Sequence, residues 1–338
     1  MRVRAVLLAI PLLLLAACGS GGDSTETTAT GTTSSSAAAT LGPTVPPATA
    51  VADPVPADQM PTVSGAFGEK PTLTFPEGSP PSLQRVVLSE GTGPMVESSD
   101  WLVTNYLGQI WGGEVFDNSY DRGATSTFQI GVRAVVPGWD TGLVGVPVGS
   151  RVLLSLPPAD GYGSAGNSGA GIGGTDTLVF VVDIVNAIGP DQGGQADATP
   201  EPTPAGAPEI SGALGARPSI TIPAGLAEPT EQSVAVLARG TGAPIVDNSQ
   251  VLAQYVAVDW TGESAGSTWP ATEGENQTTG GTGPQQLPVQ AGTPFEGLVG
   301  VPLGSRVLVT IPGQAATTGT SAQPAQPAVV AVMDLLAQ

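Results

Sequence analysis

The chain states one phrase twice. Gly142–Pro157 reads GLVGVPVGSRVLLSLP and Gly297–Pro312 reads GLVGVPLGSRVLVTIP; 12 of 16 positions are identical and the phrases start 155 residues apart. Three further pairs keep the same order. SGAFGEKPTLTFP (Ser64–Pro76) matches SGALGARPSITIP (Ser211–Pro223), VVLSEGTGPMV (Val86–Val96) matches AVLARGTGAPIV (Ala235–Val246), and VTNYLGQIW (Val103–Trp111) matches AQYVAVDW (Ala253–Trp260) more loosely. A shared order of separated motifs implies duplication of one domain of about 125 residues. Whatever fold the first copy takes, the second is expected to share.

Composition narrows that fold. With 47 Gly and 33 Pro in 338 residues and only 12% charged side chains, the chain is expected to be strand and loop more than helix. The net charge of −19 argues against nucleic acid and against docking on anionic lipid. There is no His, which excludes His-based acid–base catalysis and His-ligated metal. No carboxylate cluster has metal-ligand spacing, so neither metal nor cofactor is expected. The Gly-rich run Gly163–Gly174 lacks the Lys and helix of a phosphate loop.

The first 17 residues combine Arg2 and Arg4 with an apolar run, Ala5–Ala17, too short to span a bilayer comfortably but suited to a secretory signal. The run ends in LAAC at Cys18, the only cysteine, and resembles the lipobox of bacterial lipoproteins. That resemblance implies cleavage before Cys18, lipidation of its sulfur, and a location on the extracytoplasmic face of the cell membrane; an ordinary cleaved signal with an incidental Cys is the alternative. Residues 18–63 are Ser, Thr, Ala, Gly and Pro with few large apolar side chains, and read as a disordered tether reaching on the order of 35–40 Å. Residues 64–190 form the first expected domain, 191–210 an acidic Pro-rich linker, and 211–338 the second domain. The triplet Asn276–Thr278 fits a glycosylation signal but is incidental in a bacterial lipoprotein.

Within the first copy, strands are expected at Arg85–Leu88, Trp101–Ile110, Thr127–Ile130, Arg151–Leu156 and Thr177–Asn186, where β-branched or alternating residues lie between Gly/Pro/Asp/Asn clusters. Val135–Gly145 is the one good short-helix candidate, with Pro137 in its first turn and Trp139, Leu143 and Val144 on one face. An antiparallel sheet over a short helix is an α+β domain.

Several motifs now stand in one order across Leu83–Ile188: Tyr-x-Gly, Phe-Asp-x-Ser, Gly-Trp, Val-Gly-x-Arg, Tyr-Gly and Leu-Val-Phe. Together they resemble the FKBP-type peptidyl-prolyl cis–trans isomerases. The resemblance implies an FKBP-like sheet wrapped over a short helix and a site for proline-containing polypeptides. It places Tyr106 at the pocket edge, Phe116 and Asp117 as the Phe-Asp pair, Val136 as a backbone donor, Trp139 as floor, Tyr162 in a loop and Phe180 as wall. It adds Arg122 in support of the aspartate, with Phe128, Val135 and Ile172 lining the site. Ser126, Pro137 and Asn167 depart from the family's usual rim. Read alone, Trp139 and Phe180 fit ordinary core positions and Asp117 a turn, since FDNS is good turn chemistry.

The second copy diverges where the first carries these residues. Ser267–Asn276 has no Phe-Asp pair, with Trp269 the candidate replacement aromatic; Phe295 replaces the tryptophan, Gln314–Ala322 lacks the tyrosine, and Ala331 stands for Phe180. A folded but catalytically silent domain is expected. The resemblance thus implies a lipid-anchored, extracytoplasmic prolyl isomerase, active in its first domain and expected to be monomeric. A non-catalytic FKBP-like binding module or surface scaffold is the alternative.

Overall fold

The computed structural model describes residues 56–271, 281–316 and 325–338. The signal-like segment, Cys18, the tether as far as residue 55, the Asn276–Thr278 triplet and parts of two second-copy loops lie outside the described residues.

The first lobe opens with a hairpin of two short strands, β1 (Thr62–Ser64) and β2 (Thr72–Thr74). The main sheet follows: β3 (Gln84–Ser89), β4 (Trp101–Ile110), β5 (Val115–Asn118), β6 (Ser126–Gln129), β7 (Arg151–Leu156) and β8 (Leu178–Ile188). The strand order is β3-β7-β8-β4-β5, with β6 also on β4, and every pairing is antiparallel. One helix, α1 (Pro137–Gly142), lies between β6 and β7. Its proline occupies the first turn, where an N–H would have no intrahelical partner.

The sheet is buried on both faces, and the period of 2 sorts the residues of β8. Phe180, Val182 and Ile184 face the front cluster with Trp139, Leu143 and Leu154, whereas Val179 and Val181 face a rear cluster with Met60 and Leu153, edged by Val63 and Leu73 of the hairpin. Helix α1 lies very close to β7. A methyl group at Gly138 would sit 2.4 Å from Leu156 Cγ, so only glycine permits this approach.

The second lobe comprises β9 (Thr199–Pro200), a hairpin of β10 (Glu209–Ser211) and β11 (Ser219–Thr221), then β12 (Ser233–Arg239), β13 (Ser249–Asp259), β14 (Ser264–Ser267), β15 (Gln285–Val289), β16 (Arg306–Ile311) and β17 (Val329–Ala337). Its order, β14-β13-β17-β16-β12 with β15 on β13, repeats that of the first sheet, and β9 extends the β12 edge. The helix is not repeated: a 3-10 turn at Glu296–Leu298 takes its place. The α+β expectation therefore holds in the first lobe, while the chain is mostly sheet.

The repeated phrase explains itself in these terms. Ser150 Oγ accepts the Gly91 N–H at 2.9 Å, and Ser305 Oγ accepts that of Gly240 at the same distance. Arg151 is paired with Asp183 at 2.6 Å and Arg306 with Asp334 at 2.7 Å, all four buried. Each arginine donates to two carbonyls of its own hairpin, Gly65 and Glu69 in the first lobe, Ala213 and Ala216 in the second. The phrase supplies the clamp that fastens a hairpin to the back of each sheet.

Two expected boundaries move. Residues 56–63, read as tether, already belong to the fold, because Met60 is buried against β7 and β8. The expected linker 191–210 is packed on the second lobe: Gln195 N–H donates to Gly304 O at 3.0 Å, Ala198 is buried, and β9 pairs with β12. Its composition offers little side-chain burial, but its backbone groups find partners on a strand edge. The lobes also meet directly, with Trp101, Val103 and Ile188 packed on Leu252, Leu336 and Ala337.

Candidate functional site

On the front of the first sheet, aromatic side chains from five segments converge. Tyr106 comes from β4, Phe116 from β5, Phe128 from β6, Trp139 from α1 and Phe180 from β8. Trp139 is central and 3% exposed. Its ring meets Tyr106 at 5.6 Å, Phe128 at 5.1 Å and Phe180 at 5.3 Å, each close to perpendicular; Phe180 meets Phe116 at 5.6 Å and Tyr106 meets Phe128 at 5.5 Å. Each edge-to-face pair adds about 0.5–1.5 kcal/mol beyond the area it buries, so the cluster is stiff as well as apolar. Val135, Val136 and Ile172 pack against the same cluster.

Glycine makes the arrangement possible. Gly108 of β4 lies beneath two of the rings, and a methyl group there would fall 2.6 Å from Phe116 Cζ and 2.9 Å from Phe180 Cε1. The loop entering α1 is tied down by Asp140, whose carboxylate accepts the N–H groups of Gly131 at 2.7 Å and Arg133 at 2.8 Å. No hydrogen bond from the Val136 N–H forms among the described residues. Tyr162 stands apart from the rings at 39% exposure, between two 3-10 turns.

One polar group borders the cluster. Asp117 lies on β5, not in the turn that its FDNS context suggests; the turn follows at Tyr120–Arg122. Its Oδ2 accepts the Tyr106 hydroxyl and its Oδ1 is paired with Arg122 Nη1. Arg122 Nη2 donates to the Tyr106 oxygen at 3.0 Å and to Ser126 Oγ at 3.2 Å. Partial burial pushes the Asp117 carboxyl up, but the Tyr106 and Arg122 hydrogen bonds outweigh it and leave it below the ordinary 3.8. Burial and the Asp117 bond push Tyr106 up from 10.0 to about 12. Asp117 is thus a fixed negative charge with both oxygens engaged, and Tyr106 a neutral donor. Stability from Asp117 is present above pH 3.8 and lost as pH falls below it; stability from Tyr106 is lost as pH rises from 10.0 towards 12. Neither group titrates near neutrality and the chain has no His, so kcat/KM should be flat between about pH 5 and pH 9. A pH–rate profile checks this, and a break near pH 7 would contradict it. Among the described residues no three His, Cys, Asp or Glu side chains gather to hold a metal ion.

Residues 93–185 match the family FKBP-type peptidyl-prolyl cis-trans isomerase. The FK506-binding protein of Streptomyces anulatus is 40% identical over 119 residues, covering 35% of this chain and 96% of its own. The chain belongs to the FKBP-type peptidyl-prolyl cis–trans isomerase family. The FKBP-type isomerase FkpA of Escherichia coli is 38% identical over 115 residues, which are 34% of this chain and 40% of FkpA. The crystal structure of FkpA matches 32% of this chain and 48% of its own, at 37% identity and a TM-score of 0.30. The family match at residues 93–185 covers the aromatic cluster and Asp117, and leaves outside it the β1–β2 hairpin and the second lobe.

Register shows what stands at the corresponding strand positions of the second lobe. Gly108 faces Phe180 across β4 and β8, and Ala257 faces Ala331 across β13 and β17. Gly108 faces Asp117 and Ala257 faces Gly266, each pair followed by the same irregularity. Ala265 and Gly266 therefore occupy the places of Phe116 and Asp117. Trp269, expected as the replacement aromatic, corresponds instead to Tyr120: Ser119 and Thr268 make the same side-chain and backbone bonds to Tyr106 and Tyr255, and the two aromatics follow them. Where Ala265 and Ala331 stand in place of Phe116 and Phe180, no ring needs the room that Gly108 leaves, and Ala257 stands at that position. Phe295 is half-buried beside the 3-10 turn and packs on the second core. The residues that sequence reasoning missed are Asp140, Tyr120 and Asp183, while Gly108 and Arg151 stood in the Tyr-x-Gly and Val-Gly-x-Arg motifs without a role.

Proposed function

We propose that the first lobe catalyses cis–trans isomerisation of X–Pro bonds in exported polypeptides, tethered by lipid at Cys18 to the extracytoplasmic membrane face. The second lobe is a duplicated, catalytically silent copy. The observation that carries the reading is the stiff aromatic cluster around Trp139 with an ionised Asp117 fixed at its border.

The chemistry suits such a site. The barrier, about 18–20 kcal/mol, is lost amide resonance, so no nucleophile or proton transfer is required. In the twisted transition state the carbonyl is ketone-like and less hydrated than in the planar amide. A dry aromatic surface under the prolyl ring favours it over the ground state, which is catalysis by differential binding. Trp139, Phe116, Phe180 and Tyr106 supply that surface, with Phe128, Val135 and Ile172 behind it. The Val136 N–H and Tyr162 hydroxyl hold substrate carbonyls. Arg122 keeps Asp117 ionised and aimed, so that its charge acts on the twisting amide as a fixed field.

The silent second lobe is supported by the shared strand order and by Ala265, Gly266 and Ala331 at the positions of Phe116, Asp117 and Phe180. The anchor is supported by the LAAC sequence at Cys18; among the described residues no helix is long and apolar enough to cross a membrane. Catalysed cis–trans exchange of an X–Pro peptide by the full chain tests the function. Binding without rate enhancement would instead establish a non-catalytic module. Mass spectrometry of the mature N-terminus tests the anchor, and an unmodified Cys18 would overturn it.

A further inference from the structure

The Tyr120–Arg122 turn is held from two sides. On its front, Arg122 bonds Asp117, Tyr106 and Ser126. On its back, the Tyr120 hydroxyl donates to Asp183 Oδ2 at 3.0 Å, and Arg151 Nη2 reaches the same hydroxyl at 3.2 Å. Asp183 Oδ2 also accepts the Gly68 N–H at 2.6 Å, within the turn that joins β1 to β2. Arg151 binds that turn's carbonyls, Gly65 O at 2.6 Å and Glu69 O at 2.7 Å. Beside them Lys70 Nζ reaches both carboxylate oxygens of Asp121, at 2.8 and 2.7 Å. Hydrogen bonds from the hairpin therefore reach Tyr120 and Asp121, and the backbone of the turn joins these to Arg122, which is paired with Asp117. The hairpin precedes the family-matched residues, which begin at 93.

The second lobe provides an internal comparison. It keeps the hairpin and the clamp, with Arg306 bonded to Asp334, Ala213 O and Ala216 O. At the place of Tyr120 it has Trp269, whose buried indole N–H has no partner among the described residues. The clamp is present in both lobes, but among the described residues its connection to the turn is found in the first lobe, where that turn carries the Arg122–Asp117 pair.

We propose that the β1–β2 hairpin belongs to the catalytic apparatus of the first lobe, with Lys70 and Tyr120 as positioning residues that fix the turn and, through Arg122, the Asp117 carboxylate. This rests on the isomerase reading. Lys70 and Asp121 are 46% and 62% exposed, and such surface pairs contribute roughly 0–1 kcal/mol to stability. Removing one separates positioning from folding.

The test uses the full chain, with kcat, KM and Tm measured separately for Lys70→Ala, Tyr120→Phe and the swap Lys70→Asp/Asp121→Lys. If Asp117 acts on the twisted amide alone, loosening its support lowers kcat and leaves KM in place. Lys70→Ala should lower kcat about threefold and Tyr120→Phe about tenfold, with Tm unchanged for Lys70→Ala, and the swap should restore kcat. Arg239→Ala, which breaks a similarly exposed pair with Glu201 in the second lobe, should change nothing. Unchanged kcat in Lys70→Ala and Tyr120→Phe, or a loss that the swap fails to restore, overturns the proposal alone. No activity in the unaltered chain overturns the isomerase reading as well.

Discussion

Trp139→Leu should lower kcat/KM for X–Pro isomerisation about 100-fold, equivalent to about 2.7 kcal/mol of transition-state stabilisation. Trp139 is the one ring in contact with Tyr106, Phe128 and Phe180 together, so its loss removes three edge-to-face contacts and the surface on which a prolyl ring would rest. Leucine keeps the site apolar and part of the volume, which limits the collapse that alanine would cause. Steady-state kinetics on a proline peptide, with the folded fraction determined by circular dichroism, gives the answer. If the tryptophan were only core, the variant would melt earlier while its folded fraction kept the original kcat/KM.

The largest expected effect on stability lies at the repeated phrase. Arg151→Met leaves Asp183 buried without its counter-charge and strands two hairpin carbonyls, Gly65 O and Glu69 O. Breaking a buried pair from one side costs about 3–5 kcal/mol, most of it the penalty on the charge left behind. Pairing Arg151→Met with Asp183→Leu should recover much of that loss, since an apolar pair carries no uncompensated charge. A thermal midpoint lowered by about 10 °C in the single variant, with partial recovery in the double, is the expected result. Arg306→Met should behave alike through Asp334. A single variant that melts with the unaltered chain would show that the clamps contribute little.

These two sites differ in how they could be read beforehand. Strands β4 and β7 have the boundaries that alternation predicts, and Pro137 opens α1. Strand β5 was hidden because Phe116, Asp117, Asn118 and Ser119 have turn composition, and pairing with β4 overrides it. The hairpin strands are three residues each, too short for any period, and their anchor is an arginine some eighty residues downstream. The aromatics of the site were legible only through the collinear motifs, since a lone Trp139 or Phe180 on an apolar element reads as core. The place of Trp269 was legible in the spacing, since it follows Tyr255 by the same 14 residues that separate Tyr120 from Tyr106, and the register of β13 against β14 agrees.

The same register locates the difference between the two lobes. The phrase GLVGVP-GSRVL stands in both lobes, and in each its arginine fastens a hairpin. The difference lies in a few positions facing β4 and β13: Phe116, Asp117 and Phe180 in one, Ala265, Gly266 and Ala331 in the other. The central claim is that catalysis belongs to the first set alone. Its most direct test is the rate of proline-limited refolding of a client by the full chain, compared with Trp139→Leu and Phe295→Leu variants. The expected result is acceleration by the unaltered chain and by Phe295→Leu, with almost none from Trp139→Leu. Acceleration that survives Trp139→Leu, or that Phe295→Leu abolishes, would contradict it.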